Sequence, residues 1–124
     1  MAAWLRLLAA IPILTGAAVV VFGARIIPGA DGSASLASEL RFFAVWWIGA
    51  GLFLAWVAAD AVGRRRELSA FCGLLFLGGV ARAIAYASEG RPATLFVVLM
   101  AIELVLPLVL LGALRRARRG AAYL

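Results

Sequence analysis

Four long apolar runs, separated by short charged or turn-rich segments, set the pattern of the chain. Each run is close to the ~20 residues that an α-helix needs to cross the hydrocarbon of a bilayer at about 1.5 Å per residue. The pattern predicts an all-α integral membrane protein. Residues 1–124 are expected to form one domain, which is an antiparallel bundle of four transmembrane helices. The approximate spans are residues 5–24, 40–60, 67–88 and 93–114.

The arginines are distributed unevenly between the two sides that these spans define. With the N-terminus inside, the cytoplasmic side carries Arg6 and the clusters 64–66 and 115–119, whereas the outer side keeps Arg25 and Arg91. The positive-inside rule therefore predicts that both termini are cytoplasmic. The first apolar run is longer than the core of a signal peptide, so we expect it to be a retained helix.

The composition supports a membrane location and narrows the function classes. Hydrophobic residues make up 66% of the 124 residues, whereas soluble domains are about 45–50% apolar. The net charge of +6 arises from arginine clusters between apolar runs, which is typical of membrane orientation rather than of nucleic-acid binding. The use of arginine alone as the basic residue, with abundant Ala and Gly, indicates a bacterial protein. We therefore expect a multi-pass protein of the inner membrane, with membrane lipids as partners and no nucleic acid.

The chain has no histidine and a single cysteine, Cys72. An intrachain disulfide, the usual zinc, haem and copper ligand sets, and a Ser-His or Cys-His nucleophile are therefore all excluded. Glu103 could serve as a general acid or base, but no nucleophile or metal set accompanies it. We expect no metal and no cofactor, and an enzyme is the least favoured class of function.

Two of the predicted spans contain a charged residue, Arg82 in the third and Glu103 in the fourth. Arg82 lies about six residues, or ~9 Å, below the outer end of its helix, and Glu103 about ten residues, or ~15 Å, below the outer end of the next. An extended arginine spans this difference, and lipid solvates neither charge. We therefore predict that the two side chains are partners inside the outer half of the bundle.

The complete candidate cluster is Arg82, Glu103, Tyr86, Glu39, Arg41, Trp46 and Trp47. Tyr86 follows Arg82 by one helical turn on the same face, and the last four residues lie in the outer turns of the second span. One interpretation is an outward-facing pocket for a lipid head group, a quinone or a similar amphiphile, or a path for protons. The other is an ion pair that only fixes the helix register, with the tryptophans in an interfacial aromatic belt.

Small residues and prolines mark expected sites of close helix packing. Gly78-Gly79 would let another helix approach below Arg82. Pro107 removes the backbone hydrogen bond to the Glu103 carbonyl and predicts a kink there. Pro12, Thr15, Gly16, Gly49 and Gly51 indicate close packing or a mild bend in the first two helices.

Several of these residues stand in sequence runs that resemble a known family. The runs are Ser38 to Gly49 (SELRFFAVWWIG), Phe76 to Arg82 (FLGGVAR), Glu103 to Pro107 (ELVLP) and the external Gly90-Arg91-Pro92. They resemble the pattern of a bacterial membrane family known as domain of unknown function 4345, over nearly the whole chain. The resemblance implies a four-helix inner-membrane protein, distantly similar to DoxX-type proteins, and implies no activity.

The family's recurrent polar positions correspond here to Glu39, Arg41, Arg82 and Glu103. Its second proline after the fourth-helix motif is Leu108 in this chain, so the kink is expected to be milder. These family positions agree with the pairing that we predict from the depths of Arg82 and Glu103, but they do not identify a ligand.

Three functions fit these observations. The first is an accessory or structural subunit of a larger membrane complex or homo-oligomer, which suits the small size, short loops and absent redox ligands. The second is a binding module for a lipid, quinone or similar amphiphile. The third is a small transporter using Glu103 as proton carrier, which the absence of a repeat or broken helices disfavours.

Overall fold

The computed structural model describes residues 1–30 and 32–121, and every regular element in this part of the chain is helical. The elements are α1 (Ala2–Phe22), a short 3-10 helix (Gly23–Ile26), α2 (Ala34–Ala59), α3 (Arg65–Glu89) and α4 (Thr94–Ala121). Four long helices are each apolar enough to cross a membrane. The predicted all-helical architecture of four long apolar helices is confirmed, and the chain fits a small multi-pass membrane protein.

The largest extensions beyond the predicted spans are at the start of α2 and at the end of α4, and both have identifiable reasons. α2 begins at Ala34 because the Ser33 side chain accepts a hydrogen bond from the Leu36 backbone N–H at 3.2 Å, which caps the helix. α4 continues to Ala121 through an arginine-rich segment. Arginine is a good helix former, and cations are favoured near the negative end of the helix dipole.

The chain divides into two compact units, Met1–Asp60 and Ala61–Leu124. In the first, α1 and α2 pack through two glycines. A Cβ added at Gly16 would lie 2.8 Å from the Ala44 carbonyl oxygen, and one at Gly51 would lie 2.7 Å from the Ala9 carbonyl oxygen. The predicted close packing is confirmed at both glycines, because any side chain there would push the helices apart.

Gly49 differs from these two glycines. A Cβ added there would meet no atom within 4 Å among the residues that the structure describes. The expectation of close packing is therefore wrong for Gly49, which stands on an exposed part of α2.

In the second unit, α3 and α4 pack at Gly79. A Cβ at this position would lie 2.9 Å from Leu104 Cγ and 3.1 Å from Glu103 Cβ. α4 passes through the buried Pro107 as one continuous helix. The glycine thus sets the distance between the two helices at the level of the buried glutamate.

We predict that Gly51→Ala destabilises the protein by about 1–3 kcal/mol, because the added methyl group overpacks the α1–α2 contact. Gly49→Ala is the matched control, and it should leave stability unchanged or raise it by up to ~1 kcal/mol through helix propensity. Reversible SDS unfolding in mixed micelles measures both. Equal effects of the two substitutions would contradict the packing assigned to Gly51.

Candidate functional site

The candidate site centres on an ion pair between α3 and α4. Arg82 Nε donates a hydrogen bond to Glu103 Oε2 at 2.8 Å. Glu103 is only 7% exposed, whereas the Arg82 side chain is 38% exposed. The structure thus confirms that the two charges are partners, with the carboxylate enclosed and the guanidinium partly open.

The pairing engages only a small part of the guanidinium. Arginine has five N–H donors, and a bidentate carboxylate would accept from two nitrogens. Glu103 accepts from Nε alone, and the described residues provide no hydrogen-bond acceptor for either Nη group of Arg82. The other contact of this guanidinium is with the Phe96 ring, whose centroid lies 5.6 Å from Cζ. The donor-rich end of Arg82 is therefore available to a further acceptor.

Arg82 also lines a small pocket at the α3–α4 contact. Its volume is about 170 Å³, and its polar lining comes from Arg82, Tyr86 and Glu89, while Phe96 and Met100 contribute apolar walls. Sites that enclose a whole drug-sized ligand have volumes of about 300–1,000 Å³. The pocket therefore has room for part of a molecule, such as a head group, and not for an entire drug-sized ligand.

The local sequence explains how the Glu103 carboxylate reaches α3 near Arg82. Gly78 and Gly79 precede Arg82 by about one helical turn, and Tyr86 follows it by one turn on the same face. The nearest atom to a Cβ at Gly78 would be Glu103 Oε2, at 3.8 Å. Because neither glycine carries a side chain, the Glu103 carboxylate fits against α3 directly below the arginine.

Arg41 has a role that the sequence did not predict. Its Nε donates to the Val20 carbonyl at 3.2 Å, and its Nη1 donates to the Ala37 carbonyl at 3.4 Å. The guanidinium also lies where a Cβ of Gly23 would be, and Gly23 has a φ of 67°. Arg41 thus satisfies a carbonyl in the last turn of α1 and joins that helix end to α2.

Trp47 likewise makes a contact within the first unit. Its Nε1–H donates to Thr15 Oγ1 at 3.0 Å, and the threonine hydroxyl donates to the Ile11 carbonyl at 2.7 Å. Trp46 is 68% exposed, and its ring is edge-on to Phe42 at 6.3 Å. The two adjacent tryptophans therefore differ: one is tied to α1 and the other has an exposed indole.

The predicted cluster falls into two groups. Arg82, Tyr86 and Glu103 come together within the second unit. Glu39, Arg41, Trp46 and Trp47 belong to the first unit. Within the described residues, Glu39 is exposed and forms no ion pair. Phe96 and Glu89 were not among the predicted site residues. Helical spacing could have indicated both, because Glu89 lies two turns from Arg82 on α3 and Phe96 lies two turns from Glu103 on α4.

Substituting Trp47 by Phe should lower the unfolding free energy by about 1 kcal/mol, because the interhelical hydrogen bond to Thr15 is lost while the aromatic ring is kept. Trp46→Phe makes the same chemical change at an exposed position and should be neutral. SDS unfolding followed by far-UV circular dichroism distinguishes them. A neutral Trp47→Phe would show that this hydrogen bond contributes nothing to stability.

The sequence was compared with protein families, with curated proteins and with solved structures. The family described as Domain of unknown function (DUF4345) matches residues 1–114. No curated protein and no solved structure matches the chain; the distant likeness to DoxX-type proteins stays a prediction. The matched range includes the first three helices and most of α4, with both Arg82 and Glu103. The chain therefore belongs to the DUF4345 family of domains of unknown function.

Proposed function

We propose that this protein spans a bacterial inner membrane four times with both termini cytoplasmic, and binds the polar head of a membrane amphiphile beside Arg82. The observation that carries the proposal is the incomplete use of the Arg82 guanidinium, which holds Glu103 through Nε alone. A lipid or a quinone is the class of ligand that such a pocket would accept. Its tail would remain among the lipid chains.

The depth of the ion pair supports a functional interpretation. Arg82 precedes the end of α3 at Glu89 by seven residues, which is about 10 Å along the helix. In the proposed orientation this position lies below the outer membrane surface. Ionisable residues within spans are rare and mark sites of function more often than other residues do.

The pocket lining indicates what the head group must offer. The free N–H groups of Arg82 require an acceptor such as a carbonyl, carboxylate or phosphate oxygen. Tyr86 adds a hydroxyl that can donate or accept. Phe96 and Met100 would pack against the apolar part adjoining the head. A quinone carbonyl and a phospholipid head group both meet these requirements.

A second candidate is an accessory or structural subunit of a larger membrane complex, in which the ion pair only joins α3 to α4. One observation favours it: among the described residues, no buried side-chain polar atom lacks a hydrogen-bond partner. The pair would then be replaceable by apolar side chains without loss of function.

The two candidates differ in native mass spectrometry of the protein extracted gently from its own host membrane. We expect a bound small mass on the wild type, reduced at least tenfold in occupancy in Arg82→Gln. Arg91→Gln is the control, because this arginine lies just outside the pocket lining and contacts Thr94 at 3.3 Å. It should retain the mass.

A double variant, Arg82→Met with Glu103→Leu, tests the same proposal without leaving a charge unpaired. We expect it to fold and to lack the small mass. Persistence of the mass in this variant would contradict binding at Arg82. A stoichiometric larger protein on a wild type without any small mass would favour the accessory subunit.

A further inference from the structure

A basic groove lies at the end of the α3–α4 pair opposite to the Arg82 pocket. Its volume is about 530 Å³, and four guanidinium groups line it, from Arg65, Arg66, Arg115 and Arg118. The first two stand in the first turn of α3, and the other two stand near the end of α4. Sixteen residues separate Arg66 from Arg82, which is about 24 Å along the helix. The groove is therefore distinct from the pocket of the proposed function.

The four arginines are not paired with acidic side chains in the part of the chain that the structure describes. No side chain caps the N-terminus of α3, where the helix dipole adds further positive potential. Glu67 is the acidic residue in that turn. Such a concentration of like charge on two adjacent helix ends is stabilised when an anion binds in the groove.

The groove also continues into an apolar track on α4. Leu108, Leu111, Arg115 and Arg118 follow one another at spacings of three or four residues, so they share one face of the helix. Leu108 is 61% exposed, and Leu111 forms part of the groove lining. A molecule with an acyl chain could therefore lie along the leucines while its phosphate contacts the arginines.

We propose that this groove binds an anionic glycerophospholipid of the cytoplasmic leaflet, with its phosphate between the arginines and an acyl chain over Leu108 and Leu111. Basic pockets between membrane helices on the cytoplasmic side are suited to such head groups. The inference rests on the proposed membrane span and orientation and is independent of the Arg82 pocket. It goes beyond the positive-inside rule, because it assigns a bound lipid to two of the α4 arginines and not to their neighbours.

Those neighbours provide a matched control. Arg116 and Arg119 lie in the same turns of α4 but do not line the groove. Arg115→Gln with Arg118→Gln and Arg116→Gln with Arg119→Gln remove the same charge from the same helix end. They should therefore have the same effect on membrane orientation and on long-range attraction of anions. Arg65→Gln with Arg66→Gln removes the α3 side of the groove.

The test is native mass spectrometry of the delipidated full chain titrated with phosphatidylglycerol or, as a zwitterionic reference, phosphatidylcholine. We expect at least tenfold tighter binding of phosphatidylglycerol by the wild type. Each groove variant should lose at least tenfold of that affinity, while the Arg116→Gln with Arg119→Gln control stays within twofold. Water-soluble glycerol phosphate at a hundredfold excess should not displace the lipid. Far-UV circular dichroism checks that each variant is folded.

Four results would overturn the proposal. Two of them are measured on the wild type. One is the absence of a preference for phosphatidylglycerol, and the other is displacement of the lipid by glycerol phosphate, which would indicate a site for free phosphate. Equal losses in the groove and control variants would show diffuse charge attraction. Unchanged lipid binding in both folded groove variants, with loss of a co-purifying protein, would make this surface a protein contact. If the proposed binding of an amphiphile beside Arg82 fails its own test, this proposal still stands, because the two sites are tested with different variants.

Discussion

The hydrogen bond between Arg82 Nε and Glu103 Oε2, at 2.8 Å, is the interaction on which the rest of the α3–α4 unit depends. An apolar helix surface cannot enclose a carboxylate without a hydrogen-bond donor. The free-energy cost of desolvating an unpaired charge exceeds the free energy gained by packing its side chain. Glu103 is 7% exposed, so the arginine must reach it. The reach is short only because Gly79 lets the two helix backbones approach, with Glu103 Cβ 3.1 Å from the position of an added Cβ.

The same geometry decides what remains for function. Because the bond uses Nε, both Nη groups are left without an acceptor among the described residues, and Arg82 lines a pocket together with Tyr86 and Phe96. A bidentate pair would have consumed them. Arg41 and Trp47 of the first unit differ in this respect. The Nε and Nη1 groups of Arg41 donate to backbone carbonyls, and the Trp47 indole N–H donates to Thr15. In the second unit, unengaged guanidinium groups therefore line both the Arg82 pocket and the basic groove.

The hydrophobic pattern was sufficient to predict the four long helices, because apolar runs of span length leave few alternatives. Depth counting also paired Arg82 with Glu103 correctly, since rise per residue is fixed in a helix. The roles of Gly49 and Gly51 could not be separated in this way: both are glycines on α2, and only the crossing geometry shows which one meets Ala9. Arg41 was assigned to a polar cluster, but its donors go to backbone carbonyls, which have no sequence signal. Which nitrogen of Arg82 meets the carboxylate likewise depends on side-chain torsions.

The measurement that tests the central claim most directly is a double-mutant cycle on the unfolding free energy in bicelles, with Arg82→Met, Glu103→Leu and both together. If the ion pair is the constraint on which α3–α4 packing depends, the single substitutions should each destabilise. The double variant should then lose less than their sum by about 1 kcal/mol, the scale of an interhelical polar contact in membranes. Additive effects of the two substitutions, with no coupling energy, would contradict the claim.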